Sequence, residues 1–475
     1  MGNREGSPVT GWTPDLAKFG RPHYRAIADA IAEDIGAGRL AASERLPPQR
    51  QLADALGLNF STVARGYVEA QRRGLIASRV GHGTVVTGRA APAAPAAPAL
   101  PPAVRRRPAL VDFSMNLPPE PDDPALVERM RDGLAAVSAD LVGLLRYQGF
   151  GGAPDDKEAA LHWLSRRGLA VPANRLLVCP GSHSALLATL STLCRPGDVI
   201  CSEALTYPGA RSLAAHLGLT LVGLPGDDEG IDAAAFAATC VRHRPKALYL
   251  NPTLLNPTTV TVSRARREAI VAVARRYAVA IIEDDAYGFL PPDGPPTFSA
   301  LAPETTYHVA GLAKCLGAGL RIAYLVAPSA RAALPLAASL RAATVMASPL
   351  TAAVATRWIL DGTADAVLDF VRRESTARQR LALAALPPGL AEADPHGFHI
   401  WMRLPEPWSR SAFASQSRST GIGVVASDPF VATGPAPEAV RICLGGLASR
   451  DDVAHALDVI AHALDETPAM SSAFI

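Results

Sequence analysis

Between Arg89 and Pro108 the chain reads RAAPAAPAAPALPPAVRRRP. Proline at this density blocks helix, because each ring removes a backbone donor and clashes with the preceding turn. With only Leu100 and Val104 as larger apolar residues, the segment cannot build a core. It therefore reads as an extended, semi-rigid spacer. A chain of 475 residues is too long for one compact core, and the spacer shows where it divides. The predicted domains are residues 20–88, a spacer at 89–108, and a larger domain at 109–475. Charge follows the same boundary. Residues 1–108 carry 15 Lys and Arg against 8 Asp and Glu, whereas the remainder carries 31 against 36. A basic front on an acidic body puts any polyanionic partner at the front.

The front segment has a helical repeat at Ile27, Ile31 and Ile35, ending near Gly36–Gly38. Pro47-Pro48-Gln49-Arg50 opens a second helix over Gln51–Leu56 that stops at Gly57. Asn59-Phe60-Ser61-Thr62 supplies N-cap chemistry for a third helix running to about Arg73. Two short strands, Ile76–Val80 and Thr84–Val86, flank Gly81-His82-Gly83, which reads as a hairpin tip. Together these elements predict a winged helix-turn-helix.

Behind the spacer, strands and Ala-rich helices alternate. Expected strands are Leu176–Cys179, Asp198–Ser202, Thr220–Leu224, Ala247–Leu250, Ala280–Glu283, Thr306–Val309 and Ile322–Val326. Such alternation predicts an α/β domain with a mostly parallel sheet covered on both faces. The last stretch, Gly397–Leu404, Val440–Leu444 and a helix from Arg450, reads as a small α+β cap.

The run LPPQRQLADALGLNFSTVARGYVEAQRRGLIASRVGHGTVV resembles the GntR-type DNA-binding domain over roughly residues 20–88. The resemblance implies double-stranded DNA as a partner. Base edges and phosphates would be met by Asn59, Ser61, Thr62 and Arg65, backbone phosphate by Arg50, and the groove by a wing around His82 and Gly83. Many relatives have Arg where this chain has Phe60, so their operator does not carry over.

A second resemblance starts from His308-Val309-Ala310-Gly311-Leu312-Ala313-Lys314-Cys315-Leu316-Gly317-Ala318-Gly319-Leu320-Arg321. This segment resembles the cofactor-lysine loop of fold-type I enzymes that use pyridoxal 5′-phosphate. The resemblance implies a Schiff base at Lys314 and pairing of the phosphate with Arg321. Ile281-Ile282-Glu283-Asp284-Asp285-Ala286-Tyr287 ends an apolar strand in acids, which is costly without partners. The family pattern assigns Asp284 to the pyridine nitrogen and Tyr287 to the phenolic oxygen, with Asp285 the competitor for the first role. Asn256-Pro257-Thr258 resembles the element whose asparagine binds the same oxygen, although Thr259 stands where glycine is usual. Pro180-Gly181-Ser182-His183 is a glycine turn opening a helix, where free N–H groups suit a phosphate. Tyr207 matches the aromatic residue that stacks on the ring. Tyr147 matches a tyrosine that reaches the neighbouring subunit, which implies a homodimer. Arg441 matches the arginine that holds an α-carboxylate. Relatives usually have hydroxyl residues at the positions of Gly311 and Ala313, so this chain has fewer donors in the lysine loop.

Both resemblances in one chain identify it as a member of the MocR branch of the GntR family. The implied function is a transcription regulator whose aminotransferase-like half senses the cofactor, through an amino compound that takes the place of Lys314 while Arg441 holds its carboxylate. The competing reading is a working aminotransferase of amino acids that carries a DNA-binding domain. The opening MGNREGSPVTGW has no signal-like apolar run, and no stretch offers the roughly 18 apolar residues of a spanning helix. The six cysteines form no CxxC pair or other metal-ligand spacing. The expectation is a cytoplasmic protein with no metal and no membrane partner.

Overall fold

The computed structural model describes residues 11–19, 23–79, 83–87, 111–446 and 448–465. The proline-rich segment 89–108 and His82 lie outside the described residues. The chain divides into two compact units, Met1–Arg107 and Pro108–Ile475.

In the front unit, helices His23–Gly36, Gln49–Leu56 and Phe60–Arg72 precede two antiparallel strands, Ile76–Arg79 and Gly83–Val86. The second and third helices are joined by a tight turn because Gly57 caps the second in a left-handed conformation, φ 62° and ψ 30°. A side chain there would be strained. Asn59 caps the third helix, its Oδ1 accepting from Ser61 N at 2.9 Å and Ser61 Oγ at 2.8 Å. Ile27, Ile31, Leu40, Leu46, Leu52, Val63, Leu75, Ile76 and Val86 form one apolar core. Tyr67 joins that core and donates from its hydroxyl to Pro47 O at 2.7 Å, tying the third helix to the start of the second.

The second unit is built on a seven-stranded sheet. Its order is Leu176–Cys179, Ala323–Val326, Thr306–Gly311, Ala280–Asp284, Ala247–Leu250, Val199–Glu203 and Thr220–Leu224. All neighbours pair in parallel except Ala323–Val326, which is antiparallel to both its partners. The seven strands expected from the sequence are the strands of this sheet, three with the same ends and four with ends moved by one or two residues. Alternating side chains explain why both faces are covered. Tyr249 and Ile282 pack with Leu186, Leu190 and Leu336 on one side, while Leu248, Leu250 and Ile281 pack with Phe236, Ile270 and Phe298 on the other.

The cap carries a second sheet, ordered Ala391–Ala393, His399–Arg403, Ala439–Cys443 and Val425–Ala426, all antiparallel. Helix Arg450–Asp465 packs on it through Val453, Leu457 and Ile460. Val111–Asp112, directly behind the spacer, pairs in parallel with Ile422–Gly423, and Phe113 enters the cap core. Among the described residues, no helix is long and apolar enough to cross a membrane.

Candidate cofactor site and DNA-reading face

Parallel strands in an open α/β sheet gather their carboxyl ends along one edge, where the loops that follow form a crevice. Asp284 closes its strand, and Lys314 follows the neighbouring one in the turn Leu312–Lys314. Tyr207 starts helix Pro208–His216 after strand Val199–Glu203. Asn256 lies in the loop after Ala247–Leu250, and Ser182 opens helix Ser182–Leu193 after Leu176–Cys179. The sheet therefore brings together candidates as far apart in sequence as Ser182 and Arg321.

The three acids at the end of Ala280–Asp284 have different partners. Asp285 is bound by Arg167, with Nε to Oδ2 at 2.8 Å and Nη2 to Oδ1 at 3.3 Å. Burial penalises its charged form, but Arg167 outweighs this and holds the carboxyl below its ordinary range. Glu283 meets Arg267 at 3.3 Å and His308 Nδ1 at 2.8 Å, all fully buried. Asp284 has no such cation. Its Oδ2 accepts from Tyr249 Oη at 2.9 Å, while its Oδ1 is buried without a hydrogen-bond partner. Burial pushes its carboxyl up to about 6. An unpaired buried carboxylate oxygen is costly, and a ring N–H⁺ is the donor that would satisfy it. Asp284 thus fits the pyridine nitrogen of pyridoxal 5′-phosphate, and Asp285 does not.

At the opposite end, Gly181 adopts φ +85° and helix Ser182–Leu193 has no side-chain cap, so its first N–H groups face outward. A Cβ on Gly181 would lie 3.1 Å from Arg321 Nη2, which fixes the guanidinium over this turn. Helix dipole, amides and guanidinium make an anion site suited to the cofactor phosphate. Burial, and then Arg321, lower the pKa of His183, so it is a neutral hydrogen-bonding group here. Gly311 has a reason in this geometry. A Cβ there would collide with Ser182 Oγ, so the helix-borne hydroxyl occupies the space that a hydroxyl side chain at 311 would need.

Lys314 lies between these ends. Burial brings its ammonium down to about 8, and Nζ donates to Asn116 O. It sits 5.9 Å from the Tyr287 ring centroid. Tyr287 is buried and its hydroxyl accepts from Asn116 Nδ2 at 2.8 Å. Arg441 is 6% exposed. It donates to Asn256 Oδ1 at 3.0 Å and to Ser114 O, and its Nε is buried without a partner. Asn256 can still present its amide N–H groups to the cofactor. Thr259 takes φ +65°, so the loop keeps a glycine-like conformation with a β-branched residue, at the cost of strain. Tyr207 is half-buried, and Tyr147 is 85% exposed.

Sequence reasoning missed Asn116, Ser114, Tyr249 and Arg167. Asn116 and Ser114 reach Lys314, Tyr287 and Arg441 from the short stretch behind the spacer, over separations of 171 to 327 residues. No local motif marks them. For Tyr249, a hydroxyl at the end of an apolar strand was the available signal.

On the front unit, Arg50, Asn59, Ser61 and Arg65 are exposed, and Thr62 is partly buried. The Arg65 guanidinium lies 4.6 Å from the Tyr24 ring centroid, a contact that orients the charge while leaving it in solvent. Gly83 starts the second wing strand, packed near the Arg45 side chain.

The comparisons with known proteins agree with both halves. Residues 108–460 match the family model for aminotransferase class I and II, and residues 23–86 match that for bacterial regulatory proteins of the gntR family. The chain is 28% identical over 456 residues to the uncharacterized HTH-type transcriptional regulator YdeF of Bacillus subtilis, covering 96% of this chain and 97% of that one. It is 28% identical to the HTH-type transcriptional regulator TauR of Rhodobacter capsulatus, covering 64% and 67% of the two chains. Among solved structures it resembles LysN, an α-aminoadipate aminotransferase of Thermus thermophilus, with TM-score 0.68 and 23% identity over 75% of this chain and 92% of that one. This pairing of domains is the one expected of the MocR branch. The chain belongs to the aminotransferase class I and II family, with a gntR-type regulatory domain in front.

Proposed function

We propose that the protein is a cytoplasmic, homodimeric transcription regulator that binds double-stranded DNA through residues 20–88. The spacer 89–108 joins this domain to a pyridoxal-phosphate-binding sensor at 109–475. The observation that carries the reading is the exposed pair Ser61 and Arg65, with the partly buried Thr62, in the first half of the third helix, on a chain that also holds a cofactor cradle. Short polar side chains and an oriented guanidinium at the start of such a helix suit phosphates and base edges.

In the sensor, the bound cofactor supplies an aldehyde for amines and an electron-withdrawing ring. Lys314, its pKa lowered to about 8, offers a larger share of neutral, nucleophilic amine near neutral pH than an ordinary lysine does. Asp284 holds the ring nitrogen, and Ser182, His183 and Arg321 hold the phosphate. Asn256 and Tyr287 take the phenolic oxygen, and Tyr207 stacks on the ring. The unpartnered Nε of Arg441 supports a carboxylate-bearing amine as the effector. The exposed run Leu141, Val142, Leu145, Tyr147 is the surface that a second copy covers in the dimer.

The presence of Lys314, Asp284 and Arg441 in one site also favours a second reading, an aminotransferase of amino acids. Footprinting upstream of the chain's own gene and its neighbours, with and without cofactor, separates the two. Protection supports the regulator. No protection at any sequence, together with transamination near or above about 1 per second, overturns it.

A further inference from the structure

Among the described aromatic residues of the front unit, only Phe60 is exposed. Phe60 is the first residue of the third helix and is 47% exposed, although the core of Ile27, Ile31, Leu52, Val63 and Tyr67 closes without it. About half of this side chain is left in water, and covering that apolar surface with another molecule is favourable.

Its surroundings indicate what that molecule is. Phe60 precedes Ser61 and Thr62 on the exposed end of the helix. The Arg50 guanidinium lies 5.8 Å from its ring centroid. Both residues line a recess of about 430 Å³ together with Arg45, Pro48, Gly83 and Thr84. A hydrophobic protein partner would have to be accommodated beside two guanidinium groups, whereas a nucleic acid presents phosphate and apolar base edge within a few ångströms of each other. In the major groove, the apolar feature on a base edge is the C5-methyl group of thymine. Phenylalanine has no donor or acceptor, so a guanine at the same place would leave its O6 and N7 unpaired.

We propose that Phe60 is a specificity-determining residue that packs on a thymine methyl at a fixed position of each half-site, with Arg50 beside it on the adjoining phosphate. This inference rests on the DNA-binding reading above. It names the base that the reading left open.

The test uses the full chain loaded with cofactor. Duplexes are selected from a random-sequence pool, and each enriched thymidine is then replaced by deoxyuridine, which keeps the base pair and removes only the methyl group. Loss of one buried methyl contact is expected to weaken binding about fourfold. In Phe60→Ala the ratio of thymidine to deoxyuridine affinity should fall to about 1, and Phe60→Arg should move the preferred base from thymine to guanine. Both substitutions are at an exposed side chain, and salt-dependent binding of each variant to unselected duplex reports that the front unit is intact. Equal affinity of the unaltered protein for both duplexes, or an unchanged ratio in Phe60→Ala, overturns the assignment of Phe60 while leaving DNA binding in place. Selection that enriches no thymidine does the same. Failure to bind any duplex at low salt overturns the DNA-binding reading itself.

Discussion

The two units prepare for their ligands in opposite ways. In the larger unit the groups that await a ligand are enclosed: Asp284 Oδ1 and Arg441 Nε are buried without partners, and burial lowers the pKa of Lys314. In the front unit the groups offered to a ligand, Arg50, Ser61 and Arg65, stand in water around an apolar core. The difference follows from what each ligand brings. A small cofactor must be gripped by a few strong interactions, and a dry site makes each one stronger, but buried polar groups then cost free energy until the cofactor arrives. A DNA duplex brings many phosphates, so exposed cations suffice, each contributing a little and each screened by salt. Cofactor binding should therefore depend sharply on single residues and little on ionic strength, and DNA binding should do the reverse.

The largest effect expected is at Lys314. Lys314→Ala should abolish the visible absorption band of the bound cofactor that borohydride removes, while some non-covalent binding remains; an unchanged band would refute the assignment. Next comes Asp284→Asn, which removes the charge beside the ring nitrogen and should weaken cofactor affinity by roughly 10- to 100-fold in a fluorescence titration. If affinity holds, the enclosed site does not depend on that carboxylate and the contrast between the units weakens. The pH dependence sharpens the same comparison. Neutral amine is the reactive form, and the ammonium of Lys314 loses its proton near 8, so stopped-flow capture of cofactor should accelerate about tenfold between pH 7 and pH 9. A flat profile would place the titration elsewhere. Smallest is Arg65→Ala, expected to lower DNA affinity roughly fivefold and to reduce the salt slope by about 1, with the cofactor band unchanged. An altered band would show that the two units do not act as separate binding sites.

Local pattern made much of this legible. The seven core strands, the three front helices and the wing strands could be placed from apolar periodicity and turn residues, because those signals lie within ten or fifteen neighbouring residues. The lysine loop and the acid-tipped strand were visible for the same reason. Two departures were visible as residues but not as geometry. Gly311 looked like a lost phosphate donor until the structure placed Ser182 Oγ in the space beside it, and Thr259 stood where glycine is usual until the structure showed that it holds a glycine-like φ +65°.

Other features required the tertiary structure. Asp284 and Asp285 are adjacent in sequence, but alternation along the strand sends one toward the ligand crevice and the other to Arg167, which lies 118 residues away. Asn116, which touches both Lys314 and Tyr287, belongs to no motif. The sequence by itself determined which elements form and which chemistry they carry, since propensity, periodicity and family motifs are local. Only the tertiary structure decided which acid is left without a cation and which distant backbone closes the site, because burial and pairing depend on contacts between segments far apart in the chain.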